Sequence, residues 1–393
     1  TEEGATLRDA TEFKGMWNYA LIDELAKTYS ETASFISIGP AGELELTGAS
    51  VACTDQEKER HPARHAARGG LGAVMGSKCL KYVSVDAAKK RVRQPADRKA
   101  FTAAVKATSK AYIDGPQPMK HGTSTSVPMA QILYTFPYKN RVEGQSPNAE
   151  TLDGARIIES FEERGGGMHN CLTGCIVRCS NVVHDKEGEY KTSALEFETL
   201  TLLGSNCAIQ SWEDVADLDR LCDDVGLDTI ETGAAIAVLM DAGEMEFGDA
   251  EGAKGLLQEI ADGTDLGTAV GNGAAAVGTR TGHHRVPVVK GQAIPAWDPR
   301  PLKATGVTYA TSPMGADHTA GLIVNPGLQE AEFAAASQKS QIVNAVCDSS
   351  GFCQFVTPTL DDIRAFYTHP VSYTHLRAHE TEADLVCRLL LEK

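Results

Sequence analysis

Cys171, Cys175 and Cys179 stand in the run Asn170-Cys171-Leu172-Thr173-Gly174-Cys175-Ile176-Val177-Arg178-Cys179, and Cys353 closes the remote segment Asp348-Ser349-Ser350-Gly351-Phe352-Cys353. Three thiols in a tight run plus one distant thiol is how a chain wraps an iron–sulfur cluster, because each iron needs a thiolate and one short loop cannot surround a cube. A shared site would force the fold to return residue 353 to the 171–179 run. Two other readings fit the triplet taken alone: three core cysteines on one helix, or a structural zinc site, which also accepts four thiolates. Spacing does not choose among them.

The rest of the composition narrows the class. The ten cysteines in 393 residues are too sparse for a small disulfide scaffold, so a reducing compartment with metal ligation fits better. Cys53, Cys79, Cys207, Cys222, Cys347 and Cys387 read as buried small apolar side chains. A net charge of −16 argues against a nucleic-acid partner, since phosphate binding relies on Lys and Arg. No apolar stretch approaches the roughly 20 residues that span a bilayer, and no basic-then-apolar leader is visible, so a cytoplasmic location without membrane contact is expected.

Textural changes along the chain predict four segments. Residues 1–92 carry β-like runs (Ser34 to Ile38, Lys81 to Val85) around the glycine-rich stretch Arg68 to Lys78. Residues 93–287 are expected to be mainly helical, with a helix over Phe101 to Tyr112 and a helix start at Ser211 and Asp214. Residues 288–368 form a third unit entered through the strand-like Val286-Pro287-Val288-Val289. Residues 369–393 resemble a recurrent foreign tail joined to truncated reading frames, and are expected to be non-native. A native amphipathic helix is the alternative. The stretch Gly76-Ser77-Lys78 lacks the Gly-Lys-Ser/Thr order of a phosphate-binding loop, which excludes an ATPase of that type.

Asp223-Asp224-Val225-Gly226-Leu227-Asp228 and Asp348 to Cys353 share a pattern of an acid, two residues, glycine and an apolar residue. Each alone is a helix end with a glycine cap. As a pair beside the cysteine triplet, they resemble the pterin-binding motifs of the aldehyde ferredoxin oxidoreductase family. The resemblance runs from about residue 6 to 366 and includes Ile38 to Glu43, Arg68 to Lys78, Leu195 to Thr199, Leu203 to Asn206, Trp297 to Arg300, Tyr309 to Ser312 and Gly315 to His318.

The resemblance implies a multidomain α+β fold: a partial β-rich first domain, then mainly α-helical second and third domains. It implies a tungsten or molybdenum bis-pterin centre, a 4Fe-4S cluster on Cys171, Cys175, Cys179 and Cys353, and pterin contacts at Asp223, Leu227, Asp228, Asp348 and Phe352. Arg64, His65, Ala67 and Arg68 match positions where the first domain touches the cofactor. Glu198 and His318 match residues that handle protons beside the metal. The implied reaction is oxidation of a small aldehyde or oxo substrate, with electrons leaving to a ferredoxin-like carrier. Alternatives are a relative that reduces activated aromatic acids, or a cluster-only electron-transfer subunit.

The sequence also departs from the family's pattern. Three residues rather than two separate its first two cysteines. Asp217 and Arg220 stand where some members carry Glu and His for a metal bridging two subunits, which removes one support for the expected homodimer. Met314 and Ala320 replace basic pterin contacts. Relative to the family, the chain is expected to lack more than a hundred residues at its N-terminus and part of its last domain.

Overall fold

The strand Ala33–Ser37 (β1) buries Ala33, Phe35 and Ser37 and turns the residues between them outward, the alternation of a sheet with one face covered. In the computed structural model, which describes residues 6–56, 59–86, 95–117, 119–172 and 174–368, β1 lies inside an antiparallel sheet. Its other strands are Val51–Cys53 (β2), Arg64–Ala66 (β3) and Tyr82–Asp86 (β4), in the order β3-β2-β1-β4. The register sets Phe35 opposite Ser84 and Ala52 opposite His65. Leu21, Ile22 and Leu25 of the helix Asn18–Thr28 cover Ala33 and Phe35, closing a small satellite core.

The main core is helical. Helix Trp212–Val225 starts on Ser211, whose hydroxyl accepts from the Asp214 N–H at 3.1 Å, as the sequence predicts. The next helix, Thr229–Asp241, is buried from Ile230 to Met240, and a helix that is apolar all round can only be central. A π-helical turn over Leu200–Gly204 packs beside it, a geometry uncommon outside functional regions. The predicted helix over Phe101 to Tyr112 runs from Arg98 to Asp114.

One contiguous core joins Ala41, Leu46 and Ala49 of the first segment to Val225 and Leu239 of the middle and Trp297 and Leu302 of the last. The last segment contributes the two-stranded Val288–Val289 (β8) and Gln292–Ala293 (β9), and the helices Lys303–Thr311, Phe333–Ser350 and Leu360–Thr368.

One expectation is added to and a second is corrected. First, the middle segment is mainly helical, as expected, and also holds a small sheet: Gly166–His169 (β5), Ser180–His184 (β6) and Tyr190–Ser193 (β7) pair antiparallel in that order. Its strands are short, and β5 opens on Gly166 and Gly167 with positive φ, so no alternating apolar pattern announces them. Second, Cys79 is exposed and Cys53 half-buried, whereas Cys207, Cys222 and Cys347 are buried as expected. Cys79 follows the last turn of helix Leu71–Gly76 at φ 53°, a turn position that points it to solvent. Cys387, the 369–393 stretch and the junction at 92/93 lie outside the described residues. Among those described, no helix is long and apolar enough to cross a membrane.

Candidate functional site

The cysteine run is the loop that joins β5 to β6, closed at its base by the pair His169↔Ser180. Both base residues are tied to the first segment. His169 Nε2 lies 2.8 Å from Asp55 Oδ2, and Arg64, at the start of β3, donates from Nη1 to Ser180 Oγ at 2.8 Å and from Nε and Nη2 to Asp55 Oδ2 at 3.2 Å. Arg64 is therefore a strut between sheet and loop, with its charge matched by a buried carboxylate.

The four thiols are electrostatic neighbours. The Cys179 thiol is pushed up to about 12, first by burial and then by Glu196, Cys171, Cys353 and Cys175. Burial also raises Cys171, with Arg64 pulling it down and Cys175 and Cys353 pushing it up. Among the described residues, no three His, Cys, Asp or Glu side chains are gathered closely enough to hold a metal ion. Thiolates are the soft donors that an iron–sulfur cluster takes.

Both acid-glycine motifs are helix ends. Asp223 lies in the last turn of Trp212–Val225, capped by Gly226 at φ 84°, and Asp348 lies in the last turn of Phe333–Ser350, capped by Gly351 at φ 71°. Their surroundings differ. Asp348 is exposed and accepts from Gln354 Nε2 at 3.2 Å, while Phe352 meets Phe366 edge-on at 4.8 Å. Asp223 is buried, its Oδ2 has no hydrogen-bond partner, and burial followed by the nearby Asp219 holds its carboxyl well above the usual range. Leu227 is core, 1% exposed.

His65 faces Asp223, with Nε2 at 3.2 Å from Oδ1. That nitrogen also donates to the Pro62 carbonyl at 3.0 Å, so Nδ1 accepts from the Ser50 hydroxyl at 2.7 Å. Burial lowers the His65 pKa to about 4, against the Pro62 bond that raises it, and the ring is neutral.

Glu198 and His318 come from different segments and meet. Glu198 Oε2 accepts from the Ala296 N–H at 2.6 Å, which leaves Oε1 buried, unpartnered and 3.6 Å from His318 Nε2. His318 Nδ1 is likewise buried without a hydrogen-bond partner. Three of the group's candidate polar residues, Asp223, Glu198 and His318, thus carry orphaned atoms. Native chains keep such atoms where a ligand or water meets them.

A cleft of about 520 Å³ collects another subset, Ala67, Arg68 and Asp228, together with Glu231, Lys290 and Met314. Arg68 spends its donors on protein: the carbonyls of Ala316 and Ala293 at 2.7 Å each, and Asp228 Oδ2 at 3.4 Å. Asp228 caps helix Thr229–Asp241, accepting from Ile230 N–H at 3.1 Å and Glu231 N–H at 3.2 Å. Its predicted position therefore doubles as a structural cap. Glu198, His318, Asp223 and the thiols do not line this cleft.

Sequence reasoning missed Asp55, His169 and Ser180, which carry no motif and act through tertiary contacts. It also missed the buried carboxyls Glu196, raised by burial, and Asp219, pushed up to about 7 by burial against the Thr192 hydroxyl bond at 2.7 Å. Asp217 and Arg220 are used within the chain. Asp217 pairs with Lys191 and with Lys254 at 3.0 Å, and the Arg220 guanidinium lies 3.4 Å from the Tyr19 ring centroid.

Two family profiles match the chain: "Aldehyde ferredoxin oxidoreductase, N-terminal domain" over residues 1–87, and "Aldehyde ferredoxin oxidoreductase, domains 2 & 3" over residues 101–382, which enters the stretch from 369 onward. Among curated relatives, the tungsten-containing aldehyde ferredoxin oxidoreductase of Pyrococcus furiosus is 29% identical over 85% of this chain and 58% of its own length. That of Thermococcus kodakarensis is 27% identical over 92% and 63%. The chain thus spans about three-fifths of those relatives' length. Among solved structures, the active-site complex BamBC of benzoyl coenzyme A reductase shares the fold, with a TM-score of 0.74, 14% identity, and coverage of 98% of this chain and 68% of that one.

Proposed function

Because the chain belongs to the aldehyde ferredoxin oxidoreductase family, we propose that it is part of an oxidoreductase that converts an aldehyde to a carboxylic acid and passes the electrons to a ferredoxin-like carrier. The observation that carries this reading is the meeting of Glu198 Oε1 and His318 Nε2, 3.6 Å apart, with Glu198 Oε1 and His318 Nδ1 both buried without a hydrogen-bond partner. When bound, a tungsten- or molybdenum-pterin centre would supply the two-electron chemistry and a 4Fe-4S cluster the one-electron exit.

The chain's own residues do the rest. Oxidation of an aldehyde with one water to an acid releases two electrons and two protons, so a positioned base is required. The Ala296 N–H fixes Glu198 through Oε2, leaving Oε1 to accept a proton from the aldehyde hydrate or the attacking water. His318 Nε2 stands next to receive it, and its free Nδ1 offers the way on. Asp223, buried with Oδ2 unpartnered and its carboxyl raised by burial, would offer a polar partner to a pterin. Cys171, Cys175, Cys179 and Cys353 would hold the cluster. Arg64 ties the root of the cysteine loop to the first sheet through Ser180 and Asp55.

The test is metal, pterin, iron and sulfide analysis of anaerobically purified protein, followed by aldehyde-dependent reduction of a viologen dye. Glu198→Gln is expected to lower turnover by about 10²–10⁴-fold with cofactor content unchanged. Iron and sulfide without pterin would make the chain a cluster-only carrier. Turnover only in the reverse direction, with an activated aromatic acid, would make it a reductase.

A further inference from the structure

The Ala296 N–H that holds Glu198 Oε2 at 2.6 Å belongs to the same rigid peptide plane as the Pro295 carbonyl, with the two groups on opposite edges. Arg141 Nη2 donates to that carbonyl at 2.5 Å and to the Ile294 carbonyl at 2.6 Å. A guanidinium, one peptide unit and the Glu198 carboxylate therefore form a continuous hydrogen-bonded chain. It lies inside a strap whose flanks are pinned separately. Ala293 donates to Glu231 Oε2 at 2.9 Å and accepts from Arg68 Nη2 at 2.7 Å, while the Tyr309 hydroxyl donates to the Trp297 carbonyl at 3.0 Å.

Arg141 is kept in place at a cost. It is 7% exposed, and its Nε is buried without a hydrogen-bond partner. Its pairing with Asp298, 3.2 Å from Nη1, does not account for it, because Arg300 already meets that carboxylate from Nε at 2.9 Å and from Nη2 at 2.8 Å. A buried cation is a poor source of stability by itself. The backbone is strained as well: Lys139, Asn140 and Arg141 stand in succession at φ 47°, 48° and 61°, a left-handed run that residues with side chains avoid. Asn140 holds this turn, its N–H donating to the Asn206 carbonyl at 2.8 Å and its Nδ2 to Asp241 Oδ2 at 2.9 Å. Strain that the surroundings enforce gathers where a side chain must be aimed.

We infer that Arg141 is a positioning residue for the Glu198 base: by donating to the Pro295 carbonyl it fixes the 295–296 peptide, so that the Ala296 N–H holds Oε2 and leaves Oε1 to take the proton. A cation on the carbonyl edge also polarises the N–H on the other edge, which strengthens its bond to the carboxylate. Pro295 adds stiffness, since its ring fixes φ. Arg141 itself exchanges no proton and touches no substrate. The inference rests on the reading of Glu198 as the base.

The experiment compares cofactor-loaded wild type, Arg141→Met, Glu198→Gln and the double variant in aldehyde-dependent viologen reduction. Arg141→Met is expected to lower kcat by about 10–100-fold with KM and cofactor content unchanged. In the Glu198→Gln background the same substitution should change kcat by less than about twofold, because the base it positions is gone. An equal fold-loss in both backgrounds overturns the inference and makes Arg141 a packing element, as does an unchanged kcat in Arg141→Met. Hydrogen exchange resolved to single amides gives a reading independent of turnover: Ala296 should exchange at least about tenfold faster in Arg141→Met, with Ala293 unchanged. Equal acceleration at both amides overturns the inference. So does an unprotected Ala296 amide in wild type, a result that stands even if no variant folds. A Glu198→Gln enzyme with the wild-type kcat would instead defeat the base reading itself.

Discussion

Gly39→Ala tests how the first segment is held against the Asp223 motif. A Cβ on residue 39 would stand 2.2 Å from the Val225 carbonyl oxygen, 2.5 Å from its carbon and 2.8 Å from the Asp224 oxygen. Carbon–oxygen contacts relax at about 3.3 Å, so the helix end must retreat by about 1 Å. Gly226 cannot yield easily, because its φ of 84° already commits the turn and a Cβ there would meet Gly39 N at 2.9 Å. Retreat breaks three bonds across the junction: Ser50 N–H to Gly226 O at 2.9 Å, Asn18 Nδ2 to Asp223 O at 2.8 Å and Tyr19 N–H to Asp224 Oδ1 at 2.9 Å. At about 1 kcal/mol net each, plus about 1–3 kcal/mol for overpacking, the loss is about 4–6 kcal/mol. Urea unfolding followed by circular dichroism reads that loss, and hydrogen exchange should show the amides of Tyr19 and Ser50 deprotected. A variant with an unchanged urea midpoint and both amides still protected would refute the close-approach argument.

Two further outcomes follow from buried charge. The His65 pKa is about 4 in the folded state against an ordinary 6.5, so the unfolded chain binds the proton first. The contribution of His65 is fully present above pH 6.5 and falls by roughly 3 kcal/mol as the pH drops toward 4. Asp223, Asp219 and Glu196 are shifted upward and act in the opposite sense, so the comparison of wild type with His65→Gln across this window isolates the histidine. Equal pH slopes for the two would contradict a buried neutral ring. Asp298→Ala leaves Arg141, 7% exposed and paired to Asp298 at 3.2 Å, without a counter-charge, and should cost about 3–5 kcal/mol in the same unfolding assay. A loss below 1 kcal/mol would show that the carbonyls of Ile294 and Pro295 suffice for that guanidinium.

How far the chain could be read depended on whether a signal was local. Ser211 before an apolar helical period, and Gly226 and Gly351 after one, mark helix ends through hydrogen bonds that span a few residues, and both ends fall where the residues place them. The strands β1 and β4 were legible for the same reason. The β5–β7 sheet was not, because its short strands, the first opened by glycines, gain their stability from neighbours rather than from pattern.

The linear order of side chains settled the family, through cysteine spacing and paired acid-glycine motifs that survive without any coordinates. Distance and dielectric were left to the folded chain. Asp223 and Asp348 look alike as letters, yet the first is buried, with its proton affinity raised by that burial, and the second faces water. Arg64 and Arg68 read alike as cationic contacts until folding assigns the first to the root of the cysteine loop and the second to carbonyls in the cleft.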